Sequence, residues 1–245
     1  MSVPLRLFAA GSLRPAFTPL CRAFTAQSGI AVSAEFGPAG LLRERIERGE
    51  ACSLFASANV SHPQALLSAG LAAGTRTFAF NRLNLTLRRA ACGEDADWLA
   101  LLIDASLRIG TSTPGCDPSG DYTLQLCDNI ERRHPGVGRA IAARAVPLVG
   151  GRDTVTIPQG ELASAWLLRE GLTDLFIGYA HYATLLRDED GCRTVAIPEP
   201  FSPRCEYRLA WLDDAPQTAA LADYILSARG RLFLQQAGLS APEGE

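Results

Sequence analysis

Apolar residues alternate through Leu5-Arg6-Leu7-Phe8-Ala9, stop at Ala10-Gly11-Ser12, and then recur at helical spacing as Leu13, Phe17, Leu20 and Phe24. This change of period predicts a strand over Leu5–Ala9, a tight turn, and a helix over 13–27 with Ser12 as its N-cap. The same change repeats twice more. Strands are predicted over Ile30–Phe36 and Ser53–Ser57 and helices over 40–49 and 62–69, with Gly29, Gly49 and Gly70 placed as C-caps. Connections this short imply parallel strands in an α/β layer, and each strand then delivers its following loop to one edge of the sheet.

Thr77–Arg89 breaks that rhythm. Phe78, Phe80, Leu83, Leu85 and Leu87 continue an extended segment across Asn81-Arg82, which reads either as a crossing between two lobes or as one long core strand. A second α/β series follows: strand 107–111, a loop over 112–120, and a helix with Tyr122, Leu126 and Ile130 on one face. Strand 146–149, a helix around 162–169 and strand 174–179 complete it. Later strands are predicted over 195–198 and 207–212, joined by the Pro-rich stretch 198–203. A terminal amphipathic helix is expected from about 215 to 237, broken at Gly230 and capped by Gly238.

At 245 residues the chain can bury one large core or two small ones. A net charge of −3 argues against a general nucleic-acid binder, which needs a basic face. All 23 basic residues are arginine, which excludes a Schiff-base lysine and a Walker-type phosphate loop. The seven cysteines, Cys21, Cys52, Cys92, Cys116, Cys127, Cys192 and Cys205, contain no C-x-x-C pair, so neither a zinc site nor a disulfide framework is indicated. Cys192 and Cys205 are one candidate bridge. No apolar run reaches the roughly 20 residues that span a bilayer. A strand is predicted within a few residues of Met1 with no signal peptide before it. The chain is therefore expected to be either a mature periplasmic form or a cytoplasmic protein.

Three strand-to-helix junctions carry small polar residues: Gly11-Ser12, Phe36-Gly37-Pro38-Ala39-Gly40, and Thr111 to Tyr122 with Asp117-Pro118-Ser119-Gly120 at its centre. Each presents backbone N–H groups at a helix start, and two add hydroxyls. They read either as ordinary turns or as an anion site made of neutral donors, since hydrogen bonds to a charged acceptor are the stronger kind.

The order of these junctions resembles the periplasmic molybdate/tungstate-binding proteins of ABC transporters over nearly the whole chain. Phe8-Ala9-Ala10-Gly11-Ser12-Leu13 is similar to that family's first oxyanion loop, and Phe36-Gly37-Pro38-Ala39-Gly40-Leu41 to its second. Leu54-Phe55-Ala56-Ser57-Ala58-Asn59 resembles the strand and turn that follow. Phe80-Asn81-Arg82-Leu83 resembles the crossing strand and Asp117-Pro118-Ser119-Gly120-Asp121-Tyr122 the third loop. Asp174-Leu175-Phe176-Ile177-Gly178-Tyr179 looks like the strand ending in a ligand tyrosine, and Tyr224 to Gly230 like the closing helix.

The resemblance implies a two-lobed α/β fold of the type II periplasmic-binding-protein kind, each lobe a mostly parallel sheet flanked by helices. Residues 1–79 with about 199–245 would form one lobe and about 80–198 the other. It implies capture of a tetrahedral oxyanion, molybdate or tungstate, by hinge closure, and delivery to the membrane permease of an ABC importer. No cofactor is implied and the protein is expected to be monomeric. Carried over by motif, Ser12 would donate its hydroxyl and N–H beside Gly11, Ala39 and Gly40 their N–H groups, Ser119 its N–H and hydroxyl, and Tyr179 its phenol. Asn59 is a turn residue first and a contact second, and Tyr122 is assigned to helix core. Asp117 and Glu161 would either expand the coordination of the anion's metal or stand outside the shell, the second reading being preferred. Ala39 departs from the family, which usually carries serine there; one hydroxyl donor is lost.

Two rivals remain: a binding protein for sulfate, phosphate or a small organic anion, and a cytosolic enzyme or sensor on the same scaffold. Against an enzyme, there is no G-x-S-x-G elbow, and Gly136-Val137-Gly138 lacks the rest of a dinucleotide fingerprint. His62 and His134 read as solvated. His181, two residues after Tyr179, and Cys116 are the residues an enzyme reading would use.

Overall fold

The computed structural model describes residues 3–89, 96–186 and 191–242. The chain divides into two compact units, Met1–Asn81 with Cys205–Glu245, and Arg82–Arg204. In the first unit, β1 (Leu5–Ala10), β2 (Val32–Gly37) and β3 (Leu54–Ser57) are each followed by a helix: α1 (Arg14–Ser28), α2 (Ala39–Glu47) and α3 (Ser61–Ser68). With β4 (Gly74–Asn81) and, from the end of the chain, β10 (Cys205–Trp211), they form one sheet in the order β2-β1-β3-β10-β4. β1 is parallel to both β2 and β3, and β10 runs against its neighbours. Leu7, Phe8 and Ala9 are all buried, because a central parallel strand is covered on both faces. At the sheet edge β2 shows the alternation of a half-covered strand, with Ser33 and Glu35 exposed.

α1 lays Phe17, Leu20 and Phe24 on the sheet. Phe17 meets Phe78 with ring centroids 5.7 Å apart, and Phe24 meets the edge of Tyr224 at 5.4 Å. Tyr224 belongs to α9 (Pro216–Leu226), which continues into α10 (Ala228–Gln236). The terminal helix breaks at Ser227 and not at Gly230. The Ser227 hydroxyl accepts the Gly230 N–H at 3.1 Å and restarts the helix as an N-cap. Gly230 lies inside α10, where a Cβ would run into the carbonyl oxygens of Tyr224 and Ile225.

The second unit holds β5 (Leu83–Arg88), β6 (Ile109–Ser112), β7 (Ala145–Val149), β8 (Leu175–Tyr179) and β9 (Cys192–Ala196), in the order β7-β6-β8-β5-β9. Its helices are α4 (Trp98–Ile103), α5 (Pro118–Arg133), α6 (Val137–Arg144), α7 (Ala163–Arg169) and α8 (Ala183–Leu186). Here β6 is parallel to β7 and β8, and β5 opposes β8 and β9. In both sheets, then, a single strand runs against the rest, so the mostly parallel layout holds in each unit.

The segment Thr77–Arg89 is a crossing. β4 pairs with β10 and β5 with β8 and β9, so the chain changes sheets across Arg82, and a single long core strand is not what forms. α6 was not legible from apolar spacing: its buried residues are only Gly138 and Ile141. Gly138 packs against the backbone of α5 so closely that a Cβ would collide with the Cys127 carbonyl. Cys192 and Cys205 are both thiols, so the candidate bridge is not made, and Cys92 lies outside the described residues.

Candidate ligand-binding site

Because β1, β2 and β3 are parallel, their C-terminal ends share one edge of the first sheet, and Ser12, Ala39-Gly40 and Asn59 all follow at that edge. Ala10 pairs with Gly37, and a Cβ on Gly11 would lie 4.0 Å from the Gly37 carbonyl oxygen. The first two loops therefore leave neighbouring strands side by side. Ser12 is not an N-cap. It lies in a 3-10 turn, Gly11–Leu13, and α1 begins at Arg14 without a side-chain cap. Pro15 in the first turn of α1 has no N–H to satisfy, which lowers the need for one. The buried Ser12 hydroxyl instead accepts a hydrogen bond from Tyr207 at 3.1 Å.

α2 starts at Ala39 behind Pro38, whose side chain has no polar atom to cap with. Ala39 and Gly40 are buried, so the first N–H groups of this helix and the positive end of its dipole stand at a sheltered edge. Asn59 is a turn former: its side-chain oxygen accepts from the Ser57 hydroxyl at 3.0 Å and from the His62 N–H at 3.2 Å.

His62 corrects a second expectation. It is only 4% exposed, not solvated, and its Nδ1 lies 3.2 Å from an Arg43 guanidinium nitrogen. Arginine can only donate, so Nδ1 accepts and the ring proton sits on Nε2. Burial, reinforced by the Arg43 charge, lowers the His62 pKa to about 4.

In the second unit, Ser112, Val149 and Tyr179 end three parallel strands at a common edge. Asp117 is the N-cap of α5, and its carboxylate accepts the Ser119 N–H at 3.1 Å. Ser119 is buried, and with its N–H engaged only its hydroxyl is left for the ligand role expected of both groups. Enclosure beside Gly150 and the start of α5 pushes the Asp117 pKa up to about 6, against the opposing bonds from Ser119 and Ser112. Gly120 stands in the third-loop motif without a role of its own there, and the structure supplies one. A Cβ there would lie 2.5 Å from the Pro114 nitrogen and 2.6 Å from the Ser112 carbonyl, so the loop closes only over glycine.

Tyr179 is buried at the end of β8, its ring centroid 6.0 Å from that of the buried His181, which in turn packs on Tyr182 at 4.0 Å. Tyr122 is half-buried on α5. Glu161 is exposed and paired with Arg169 at 2.9 Å. His134 is exposed and stacks on Phe201. Among the described residues, no group of His, Cys, Asp and Glu is arranged to hold a metal ion, and no helix is long and apolar enough to cross a membrane.

The sequence profile of the bacterial extracellular solute-binding proteins matches residues 5–240. The chain belongs to that family. An uncharacterized protein of Pasteurella multocida is 42% identical over 236 residues, covering 96% of this chain and 97% of that one. Among solved structures, the molybdate-binding protein of Azotobacter vinelandii has a TM-score of 0.77 at 18% identity, over 98% of this chain and 100% of that chain. The sulfate-binding protein SubI of Mycobacterium tuberculosis has a TM-score of 0.78 at 16% identity, over 99% and 88%. At such identities the likeness establishes the two-lobed binding-protein fold of this family member. Its ligand is a separate question, because fold does not set function.

Proposed function

We propose that this solute-binding protein captures a tetrahedral oxyanion, molybdate or tungstate, in the periplasm and delivers it unchanged to the permease of an ABC importer. The observation that carries this reading is the edge of the first sheet. There a buried serine hydroxyl and the uncapped, buried start of a helix follow neighbouring parallel strands. The proposed donors are Ser12, Ala39 and Gly40 in the first unit and the Ser119 hydroxyl and the Tyr179 phenol in the second. All are neutral, and neutral donors suffice for a dianion because each bond is charge-assisted. Gly11 keeps the first loop free of bulk, and Asp117 acts by shaping the third loop. That one related fold is described as molybdate-binding and another as sulfate-binding supports an anion as the ligand class.

Ala39 favours a second reading, in which the anion is sulfate, phosphate or a small organic anion, since the usual second-loop hydroxyl is missing. Thermal denaturation with molybdate, tungstate, sulfate and phosphate at matched ionic strength separates the two. A ligand at a hundred times its Kd stabilises by about 2.7 kcal/mol, which moves the Tm by several degrees. A shift with molybdate and tungstate alone supports the first reading, and a shift confined to sulfate or phosphate the second. A flat response to all four overturns the first reading and leaves only a small organic anion from the second.

A further inference from the structure

Tyr207 has no exposed surface, and its ring meets Phe78 edge-on at 6.3 Å within the core of the first unit. A phenylalanine would fill that space without burying a hydroxyl, and a buried hydroxyl is costly unless it is hydrogen-bonded. The phenol is bonded to two residues far away in sequence. It accepts from the Asn81 side-chain amide at 3.2 Å and donates to the Ser12 hydroxyl oxygen at 3.1 Å. Ser12 and Asn81 are themselves buried.

The chemistry of the three groups sets the direction of this chain. An amide NH2 only donates, so the phenol oxygen is the acceptor there and its single hydrogen goes to Ser12. A serine that accepts from Tyr207 turns its own hydrogen away from Tyr207. We infer that Tyr207 is a positioning residue for the ligand site: with Asn81 behind it, it fixes the Ser12 hydroxyl as a preoriented donor. This rests on the oxyanion reading above, in which Ser12 donates to the ligand. Preorientation matters because a hydroxyl that rotates freely must be ordered when the anion binds, and ordering lowers affinity. The position of Asn81 adds a consequence. It is the last residue of β4, paired with Cys205, so the chain of bonds runs from the ligand loop to the two points where the backbone passes between units.

The test is calorimetric titration with sodium molybdate, and with sodium sulfate in parallel, of the wild type, Tyr207→Phe, Ser12→Ala and the double variant. Tyr207→Phe removes one oxygen and keeps the ring. It is expected to weaken binding about three- to tenfold, the scale of ordering one side chain, and to add no further loss in the Ser12→Ala background. A merely structural role for Tyr207 would weaken both backgrounds equally. Wild-type affinity in Tyr207→Phe, or an equal loss in the Ser12→Ala background, overturns the inference while leaving the oxyanion reading in place. A wild type that binds neither anion overturns the reading and the inference with it. Asn81→Leu provides a second variant should Tyr207→Phe fail to fold. It removes the outer donor, and its expected smaller loss must likewise vanish without the Ser12 hydroxyl.

Discussion

The Asp117 carboxylate accepts the Ser119 backbone N–H at 3.1 Å, so a residue that caps α5 also consumes a donor that the third loop would otherwise offer to an anion. Burial raises the Asp117 pKa to about 6, and the folded unit therefore holds a proton that the unfolded chain releases near pH 4. Its stabilising contribution is complete below pH 4 and is lost as the pH rises through about 6.

Asp117→Asn keeps the capping oxygen and removes the titration. Relative to wild type, the variant is expected to lack a decline of roughly 2–3 kcal/mol between pH 4 and 7. Asp117→Ala costs about 1 kcal/mol below pH 4 by leaving the helix start uncapped, and that cost shrinks as the pH rises through 6, where the wild-type carboxyl has to ionise in its buried site. Urea denaturation at half-unit pH steps checks both; an unchanged pH profile in Asp117→Asn contradicts the assignment.

His62 predicts the opposite slope in the first unit. Its folded pKa of about 4 lies below the ordinary value near 6.5, so the unfolded chain binds the extra proton. Stability from this group is therefore complete above pH 6.5 and is lost as the pH falls toward 4, by up to roughly 3 kcal/mol. His62→Gln, which still offers Arg43 an acceptor, is expected to flatten that acid limb. The comparison is of wild-type and variant melting temperatures between pH 4 and 7.

Gly120→Ala is expected to be among the more damaging single-methyl changes in the second unit. Its Cβ would meet backbone atoms of Ser112 and Pro114 at 2.5–2.6 Å, and backbone cannot swing aside as a side chain does. A loss of about 2–4 kcal/mol is expected on chemical denaturation. Any anion binding should weaken with it, because the Ser119 loop must shift.

Ser12→Ala and Ser119→Ala each remove a donor to a charged ligand and are expected to weaken binding by about 1–3 kcal/mol. Ser12→Ala also takes away the acceptor of the buried Tyr207 hydroxyl and is expected to lower the unliganded Tm as well. Ala39→Ser restores a hydroxyl at the uncapped start of α2 and is expected to tighten binding of the preferred anion. Titration of all three variants against one anion decides it, and unchanged affinity in both serine variants would remove these residues from the site.

The α/β alternation, the order of the loops and the identity of the junction residues were legible in the chain, because strand and helix periods are local properties of apolar spacing. Helix α6 was not, since it is held by the close approach of Gly138 to α5 and carries almost no apolar stripe. The burial of His62 was also hidden: a histidine before a proline at a helix start looks the same in sequence whether it faces water or Arg43.

By itself, then, the sequence determined which short segments end in small polar turns, and that those turns would gather at the edge where parallel strands finish. Only the tertiary structure decided what each polar group in those turns does. Ser12 changes from a helix cap to the acceptor of Tyr207, 195 positions away. The Ser119 N–H is taken by Asp117, and Asn59 is held to Ser57 and His62. The reason is physical. Hydrophobic period depends on neighbours in the chain, whereas a hydrogen bond depends on distance and direction, and these exist only after the sheets have brought remote residues together.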